Sequence, residues 1–526
     1  LAFAIARAAD AHDGPLLAIA KDNQGAHQLE ADLRTLLGND AAMPILPFPD
    51  WETLPYDQFS PHADIVSQRL AALLRLPTLK RGVVVVPVQT MLQRLAPVRY
   101  VVGNAFDVKV GQRLDLDAEK RRLESAGYRH VPQVFDPGDF AVRGGLLDVY
   151  PMGADEPYRV ELFDDEIDSI RGFDPETQRS LDKVDAVQLL PGREVPLDED
   201  ALKRAMQTLR DRFDIDTRRS ALFQDLKAGL APAGIEYYLP IFFDHTATLF
   251  DYLGERVLPI VCDGALACAD AFWSQTAERY EQRRHDIERP LLPPNELYLP
   301  PDGLRELLNL RSRVDVVGGD EAKAAKAQAL GDQPAPDVPV AARDTAAGAL
   351  KSFLSNYPGR TLVAADSAGR REALIEVLQA ADLHPKVVAD WAAFIASKDR
   401  FCIAVAPFED GFALDAEIAG TPLVVLTERQ LFPERASQPR RRKRAGREPE
   451  QIIRDLGELT EGAPIVHEDH GVGRYRGLVT LEAGGTPGEY LEIEYAKGDR
   501  LYVPVAQLDR ISRYSGASAE TAPLHS

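Results

Sequence analysis

The residues in this sequence best suited to recognition chemistry are arginines and a phenylalanine within residues 139–174, which alternate like two β-strands joined by a turn. Along the second strand Arg159, Glu161 and Phe163 point to one side, and the residues between them can face a core. Arg143, on the preceding strand, can reach the same side. Because interface cores favour aromatic residues and arginine, this face is typical of a surface that binds another protein. The alternative is ordinary strand decoration, with an arginine stacked over a half-buried Phe163.

Two polar runs look like metal or nucleotide motifs but fit those functions poorly. Asp165–Glu166 resembles a DExx box, yet it falls at a predicted hairpin turn, so we interpret it as an acidic turn. His467 and His470 are three residues apart in HEDH, which is not the HExxH zinc arrangement, so we interpret them as loop histidines. We therefore predict no metal site.

Phosphate-binding signals are also weak. The pattern GxxxxGK[ST] occurs nowhere in the chain, so nothing is predicted to cradle a triphosphate. Gly369–Arg370–Arg371 opens a predicted helix and could hold an anion, although solvated arginines are the simpler interpretation. The run PRRRKRAGR at 439–447 is interpreted as a flexible basic linker, with contact to a phosphate backbone as the alternative. We predict no catalytic residue, no cofactor in this chain and no enzyme activity for the residues present.

Composition limits the remaining classes. The 526 residues imply several domains, and the net charge of −21 argues against wrapping duplex nucleic acid over the whole surface. Three cysteines without a CxxC pair favour a reducing cytosol, and no apolar run approaches the ~18 residues of a membrane span. No signal peptide is recognised. We predict a cytoplasmic protein without a membrane partner.

The periodicity predicts four structural regions. Strands at 14–20 and 82–88, with helices at 24–37 and 90–95, predict a parallel sheet covered on both faces. Aromatic strands at 234–243 and 256–262 could extend that sheet, which would make 103–191 an insertion. A second small α/β unit is predicted with strands at 361–365, 386–389, 401–406 and 422–427 and a helix at 368–381.

The last region, 459–513, reads as short strands with glycine turns, which predicts a small barrel. On the strand 474–481, Arg474, Arg476, Leu478 and Thr480 are expected to share a face. If this strand lies at an edge, its free amides and Leu478 could accept another protein's strand. The alternative is that Leu478 packs under a loop.

Several segments together resemble the N-terminal half of the bacterial transcription-repair coupling factors. They are WETLPYDQFSPHADIVSQRL, RGGLLDVYPMG, PYRVELFDDEIDSIRGFD, GIEYYLPIFF, HEDHGVGRY and GEYLEIEYAKGDRLYVPV, in order along nearly the whole chain. The resemblance implies a UvrB-like module that has lost its nucleotide loop, and an inserted domain that binds UvrA. The family's contact residues then fall on Arg143, Arg159 and Phe163.

The same resemblance implies that the terminal barrel is a CarD-like domain that binds the β subunit of RNA polymerase. The family's polymerase contact is expected at Leu478, Thr480 and Leu481. The ATP- and Mg²⁺-dependent translocase motor of the family, which would also carry most DNA contacts, would follow residue 526.

The expected fold class is multidomain α/β. It comprises a degenerate P-loop-like parallel sheet with an inserted α+β domain, a second small α/β domain and a C-terminal SH3/Tudor-like barrel. The expected domains are the UvrB-like module (1–102 and 192–314), the inserted domain (103–191), a linker (315–350), the small α/β domain (351–435), a basic linker (436–457), the barrel (458–514) and a linker to the motor (515–526).

The function expected from the resemblance is that of an adaptor that holds stalled RNA polymerase at one end and recruits UvrA at the other, to begin nucleotide excision repair. Two alternatives stay open. One is a CarD-like polymerase-binding regulator with the remainder as scaffold. The other is a UvrB-like DNA-handling ATPase, which would need a phosphate loop or a carboxylate cluster.

Overall fold

A computed structural model of the chain describes residues 1–38, 42–213, 216–286, 288–318, 322–323, 325–328, 330, 332–339, 347–432, 462–467, 471–483, 486–496, 499–504 and 511–513. Within these ranges, side chains are described except at 347–348, 417–418, 466–467, 471, 480–483, 486–489, 504 and 511–513. The described residues fall into two compact units, one within 1–57 and 63–439 and the other within 58–62 and 440–526. In the described part of the chain, no helix is long and apolar enough to cross a membrane.

The first hundred residues supply three neighbouring strands of a parallel sheet. The elements are α1 (Ala2–Ala11), β1 (Pro15–Ala20), α2 (Asn23–Leu37), β2 (Ile45–Pro47), α3 (Ala63–Arg75), a 3₁₀ turn (Leu76–Thr78), β3 (Gly82–Pro87), α4 (Val88–Met91) and α5 (Val98–Gly103). Every residue of β1 and β3 is buried. Leu17 and Val84 enter one hydrophobic cluster and Leu16 and Val83 another, as expected for a sheet covered on both faces.

The helix predicted at 90–95 is wrong after residue 91, because the observed helix α4 spans Val88–Met91. The chain leaves the helix after Met91 because the amides of Arg94 and Leu95 donate instead to the carbonyls of Leu297 and Ala247. Tertiary hydrogen bonds here override the local helical pattern.

The region after α5 forms a separate sheet. Its elements are β4 (Phe106–Lys109), α6 (Leu116–Ser125), β5 (Arg129–His130), β6 (Asp139–Arg143), β7 (Leu146–Val149), β8 (Tyr158–Phe163), β9 (Glu166–Phe173), β10 (Ser180–Val184) and β11 (Ala186–Leu189). Six strands lie in the order β10-β9-β8-β7-β6-β5, and β11 pairs with β4. Residues 139–174 therefore hold four strands rather than two, because Gly144–Gly145 and Asp164–Asp165 each close a two-residue hairpin turn.

The chain then returns to the first sheet. The elements are α7 (Glu199–Arg212), α8 (Ala221–Lys227), a 3₁₀ helix (Ile235–Phe242), α9 (Leu249–Tyr252), β12 (Leu258–Val261), α10 (Ala265–Arg283), α11 (Pro294–Leu297), α12 (Pro301–Asn309) and β13 (Val314–Asp315). The sheet order is β13-β12-β1-β3-β2, all parallel. Because β12 pairs with β1, the intervening domain is an insertion in this sheet. The aromatic strand predicted at 234–243 is wrong: it is a buried 3₁₀ helix containing Pro240.

A buried ion pair anchors the segment that leaves the insertion. Arg69 on α3 donates from Nε to Glu194 Oε1 at 2.5 Å, and from Nη2 to Oε2 at 3.2 Å. Both side chains are at most 1% exposed. The guanidinium carbon of Arg69 lies 4.4 Å from the centroid of the Phe48 ring and 5.1 Å from that of Trp51, and the Trp51 indole N–H also donates to Glu194. The carboxylate is thus shared by two donors, as a buried charge requires.

The second small α/β domain contains a six-stranded sheet. Its elements are β14 (Asp332–Pro334), α13 (Ala347–Asn356), β15 (Arg360–Ala365), α14 (Ala368–Ala380), β16 (Lys386–Val387), α15 (Trp391–Ala396), β17 (Phe401–Val405), β18 (Phe412–Leu414), α16 (Ala416–Ala419), β19 (Leu423–Leu426) and α17 (Glu428–Leu431). The order is β14-β18-β19-β15-β17-β16. The linker predicted at 315–350 is corrected in part, because β14 pairs with β18 and the side chain of Val338 is buried in this domain's core.

The C-terminal region is an antiparallel sheet. Its strands are β20 (Pro464–His467), β21 (Gly471–Ala483), β22 (Thr486–Glu494), β23 (Arg500–Pro504) and β24 (Ile511–Arg513), in the order β23-β22-β21-β20-β24. Alternate residues of neighbouring strands supply its small core: Ile465, Tyr475, Leu491, Ile493, Tyr495 and Val503.

Candidate partner-binding sites

The sheet of the inserted domain has one face on the core and one face turned outward. Val160 on β8 and Ile170 on β9 are paired across the strands and buried in the large core. The β8–β9 register shifts once, and the unpaired extra residue is Asp168 on β9. Strand β8 therefore keeps its alternation, so Arg159 and Phe163 share the outward face, as the sequence predicts.

Phe163 is the most exposed phenylalanine, tyrosine or tryptophan among those whose exposure is described, with 75% of the residue's surface exposed. It ends β8 at a tight turn, where Asp164 adopts a left-handed conformation with φ 55°. The Gly144–Gly145 turn lies alongside, because the Leu162 amide donates to the Gly145 carbonyl. Arg143 and Phe163 thus lie at the adjoining tips of two hairpins.

The alternative in which an arginine stacks over Phe163 does not fit the structure, because the arginine that stacks, Arg159, does so on Phe173. Arg159 lies over Phe173, with its guanidinium carbon 4.9 Å from the ring centroid. Phe173 is fully buried, so this arginine rests on the domain's own interior. The ring of Phe163 is left open to solvent. Exposed rings of this size are typical of interfaces.

Both arginines of the site converge on one buried carboxylate. Arg159 donates to Asp148 from Nε at 2.7 Å and from Nη2 at 2.9 Å, while Arg143 Nη2 lies 3.7 Å from Asp148 Oδ2. Asp148 is 4% exposed, Arg159 17% and Arg143 52%. The hydrogen bonds with Asp148 raise the pKa of Arg159, and the charges of Asp148 and Glu161 add to that effect. Arg143 is therefore the more accessible of the two arginines, and Arg159 is held in place by its own domain.

Asp148 is a residue that the sequence reasoning missed. A usable signal was present: Asp148 is the sole acid in the strand Leu146–Val149, between two buried apolar residues. An acid at such a position needs a cationic partner. Its cross-strand neighbour in the register is Arg159.

We expect Asp148→Ala to lower the free energy of unfolding by about 2 kcal/mol, because Arg159 loses two charge-assisted hydrogen bonds in a mostly buried position. Urea unfolding followed by circular dichroism measures this. Asp182→Ala, an exposed aspartate on β10 of the same sheet, is the matched control and should leave the transition unchanged. Equal stability of the two variants would contradict a structural role for Asp148.

The predicted shared face of β21 is wrong at Leu478. The β21–β22 register shifts between Tyr475 and Gly477, so Arg476 is the unpaired extra residue. Leu478 pairs with buried Leu491 and so lies on the side of the core, opposite the side of Arg474. Even so, Leu478 is 42% exposed and does not pack fully under a loop.

Among the strands that the structure describes, β21 has a neighbour on only one side over much of its length. Pairing with β20 ends at Arg474, whereas pairing with β22 continues to Ala483. On the side of β21 that faces β20, the backbone of Tyr475 still forms hydrogen bonds with Gly462 and Ala463. Beyond Tyr475, no described strand pairs with this side of β21. Thr480 and Leu481 pair with β22 through their backbones, and their side chains lie outside the described residues.

Charged side chains line the other face of this sheet. Arg476 donates to Glu494 at 2.6 Å, which lowers the pKa of that carboxyl. Arg500 forms an ion pair with Glu492. Tyr502, which pairs with Glu492 on this face, is 40% exposed, close to the 42% of Leu478 on the other face.

The remaining motifs do not form a site in the described part of the chain. Asp165 lies in the hairpin turn, as predicted, with Arg113 3.7 Å away. Arg370 is exposed to solvent, as predicted, and Arg371 is partly exposed; they also form ion pairs with Glu428 and Glu372. Among the described residues, no cluster of three His, Cys, Asp or Glu side chains could hold a metal ion. His470, the His467 side chain and the basic run 439–447 lie outside what the structure describes.

Family models match three parts of the chain. The UvrB interaction domain matches residues 106–194, the D3 domain of MFD matches 353–431, and the CarD-like/TRCF RID domain matches 459–515. Curated relatives match nearly the whole chain. The transcription-repair-coupling factor of Escherichia coli is 42% identical over 99% of this chain and 45% of its own length, and that of Haemophilus influenzae is 38% identical over 100% and 45%. That of Bacillus subtilis is 25% identical over 97% and 44%.

The three matched domains follow one another along a multidomain α/β chain, in which the UvrB interaction domain coincides with the inserted sheet and the CarD-like/TRCF RID domain with the antiparallel C-terminal sheet. The chain is thus similar to transcription-repair-coupling factors, and it spans about half the length of the curated relatives it matches.

Proposed function

We propose that this chain is a non-catalytic adaptor that recruits UvrA through the inserted domain and holds the β subunit of RNA polymerase through the C-terminal sheet. Matches to a UvrB interaction domain and to a CarD-like/TRCF RID domain support the two roles. The observation that carries the proposal is the 75% exposure of Phe163 on the same outward face as Arg159, whose guanidinium Asp148 already holds.

On the UvrA side, the proposed contact residues are Arg143, Arg159 and Phe163. Phe163 fills an apolar pocket of UvrA, and Arg143 pairs with a UvrA carboxylate at the edge of that pocket. Arg159 contributes its remaining N–H groups from a fixed position, since Asp148 holds its Nε and Nη2. An arginine ordered before binding loses less side-chain entropy in the complex.

On the polymerase side, the proposed contact residues are Leu478, Thr480 and Leu481. The unpaired side of β21 offers backbone groups to a strand of the polymerase β subunit, in the mode of strand addition. Leu478, half exposed beside this edge, supplies apolar contact. We further propose that the C-terminal sheet curls into an SH3/Tudor-like barrel.

We expect Leu478→Asp to weaken binding to the polymerase β subunit by tenfold or more, on the order of 1.4 kcal/mol, because the added charge loses water in the contact. Binding to UvrA should not change. Tyr502→Asp, a similarly exposed position on β23, is the control for an added charge on this sheet. Undiminished polymerase binding by the Leu478 variant would move the contact elsewhere.

The experiment that tests the whole proposal is a pull-down of purified UvrA and polymerase β subunit, side by side, with this chain. Retention of both supports the adaptor. Retention of polymerase alone supports the first alternative, a CarD-like regulator with a scaffold. If the chain retains neither UvrA nor the β subunit, both the adaptor and the CarD-like regulator are contradicted.

The second alternative, a UvrB-like ATPase, is disfavoured by the loop after β1. Asp22 there accepts from the Gly25 amide at 2.7 Å and so caps the start of α2, the position at which a nucleotide fold of this kind would receive phosphate. A carboxylate in that position repels an anion. We propose that the parallel sheet is a nucleotide-binding fold without its phosphate loop. Heat of ATP binding to this chain in calorimetry would overturn that proposal.

We propose that the ATP- and Mg²⁺-dependent translocase activity and most DNA contact belong to the part of the longer relatives that this chain does not match. The adaptor itself would then need no cofactor. We propose a cytoplasmic location, where stalled polymerase and UvrA would both be found in a bacterium.

A further inference from the structure

A row of charged side chains crosses the outward face of the inserted domain's sheet. The register pairs Asp148 with Arg159, Arg159 with Arg171, and Arg171 with Lys183. Directly paired residues on antiparallel strands point to the same side of a sheet. These four side chains therefore form a line across β7, β8, β9 and β10, with steps of about 4.8 Å.

The charges in this row do not balance. It holds three cations and one carboxylate, which already serves Arg159 and Arg143. Glu161, beside the row on the same face of β8, adds a carboxylate whose charge acts on Arg159 and which accepts from the Ser169 hydroxyl. No ion pair or hydrogen bond is found for the side chains of Arg171 and Lys183 in the part of the chain that the structure describes. Like charges directly opposite each other on neighbouring strands are destabilising. The arrangement thus costs the isolated domain stability, and an acidic surface placed over it would recover that cost.

The row is continuous with the face that carries Phe163. Exposure increases along it, from Asp148 at 4% and Arg159 at 17% to the exposed edge residue Lys183. A stable interface covers about 800 Å² on each partner, more than one ring and one arginine at the hairpin tips can provide. A partner that docks on Phe163 and extends along the sheet covers these cations next.

We propose that Arg171 and Lys183 are further contact residues for UvrA, and that they meet an acidic surface of that partner. The inference rests on the proposed UvrA-binding role of Phe163 and names the chemistry of the surface beside it. A protein partner is favoured over nucleic acid because the row adjoins an exposed aromatic ring and the chain carries a net charge of −21. At the rim of an interface such charges act mainly by steering association.

The test compares the double variant Arg171→Gln/Lys183→Gln with the unaltered chain by surface-immobilised UvrA binding over a range of salt. The expected result is an association rate lower by about tenfold at low ionic strength, a weaker dependence of that rate on salt, and a similar dissociation rate. The melting temperature should stay the same or rise, since opposed like charges are removed. Lys120→Gln/Arg121→Gln removes the same charges from α6, whose Leu123 packs in the core on the other side of the sheet, and should change nothing.

The outcomes separate this inference from the function on which it rests. If Phe163→Ala loses UvrA but the Arg171/Lys183 double variant binds with unaltered kinetics, the row is not part of the interface and Lys183 merely protects an edge strand. If neither variant changes UvrA binding, the proposed site itself is wrong. A loss of UvrA binding equal to that of the α6 control would mean only a non-specific charge effect, and would also overturn the inference.

Discussion

Replacing Phe163 with alanine is expected to abolish capture of UvrA by this chain and to leave binding of the polymerase β subunit unchanged. The ring is 75% exposed and contributes nothing to the domain core, so the variant should unfold at the same temperature. In the complex the ring is an aromatic anchor, and truncation of such an anchor costs about 2–4 kcal/mol. This corresponds to a loss of affinity of about 30- to 1000-fold. Titration calorimetry with purified UvrA measures it.

Leu310→Ala is the matched control, because Leu310 is an apolar side chain of similar exposure, 78%, outside the inserted domain. Its affinity for UvrA should equal that of the unaltered chain. Arg159→Ala should also abolish UvrA binding. However, it leaves Asp148 without its bidentate partner, so the variant changes both the affinity for UvrA and the stability of the domain. A folded Phe163→Ala chain with unaltered affinity for UvrA would remove the proposed site.

The largest effect on stability is expected at the buried pair of Arg69 and Glu194. Either Arg69→Met or Glu194→Met should lower the free energy of unfolding by about 3–5 kcal/mol, because each leaves a buried charge uncompensated. The double variant Arg69→Met/Glu194→Met should recover most of the loss, since it leaves no charge in the site. Urea unfolding followed by tryptophan fluorescence measures this, and Trp51, which donates to Glu194, is one of the three tryptophans in the chain.

The exposed pair of Lys203 and Glu199 serves as the control for ion pairs in general. Its side chains are 62% and 82% exposed, and Glu199→Gln should leave the unfolding transition where it is. Single variants at Arg69 or Glu194 that unfold like the Glu199 variant would show that the buried pair does not hold the insertion to the first domain.

The elements that the sequence predicts well are those with strong periodicity. The buried strands β1 and β3 and the helix α2 appear within a residue or two of their predicted bounds. The errors lie where tertiary contacts replace local preference. The sequence predicts an aromatic strand at 234–243 because a short, continuous apolar run has the same pattern in a buried strand and in a buried helix. In the structure they form a 3₁₀ helix, and Pro240 has no amide with which to pair in a sheet.

At the candidate sites too, the sequence predicts what depends on local alternation and misses what depends on strand register. Alternation alone predicts that Arg159 and Phe163 share an outward face, because β8 carries no extra residue. It cannot predict Asp148 as their common partner, since that depends on the register between β7 and β8. It fails at Leu478 for a related reason, because the extra residue Arg476 moves Leu478 to the other face.

In the proposed adaptor, two separate faces of one chain bind two different proteins. The most direct test mixes this chain with UvrA and the polymerase β subunit and measures the mass of the complex by size exclusion with light scattering. We predict a complex that contains all three proteins, which loses only UvrA in Phe163→Ala and only the β subunit in Leu478→Asp. Loss of both partners from either variant, or mutually exclusive binding, would contradict the claim.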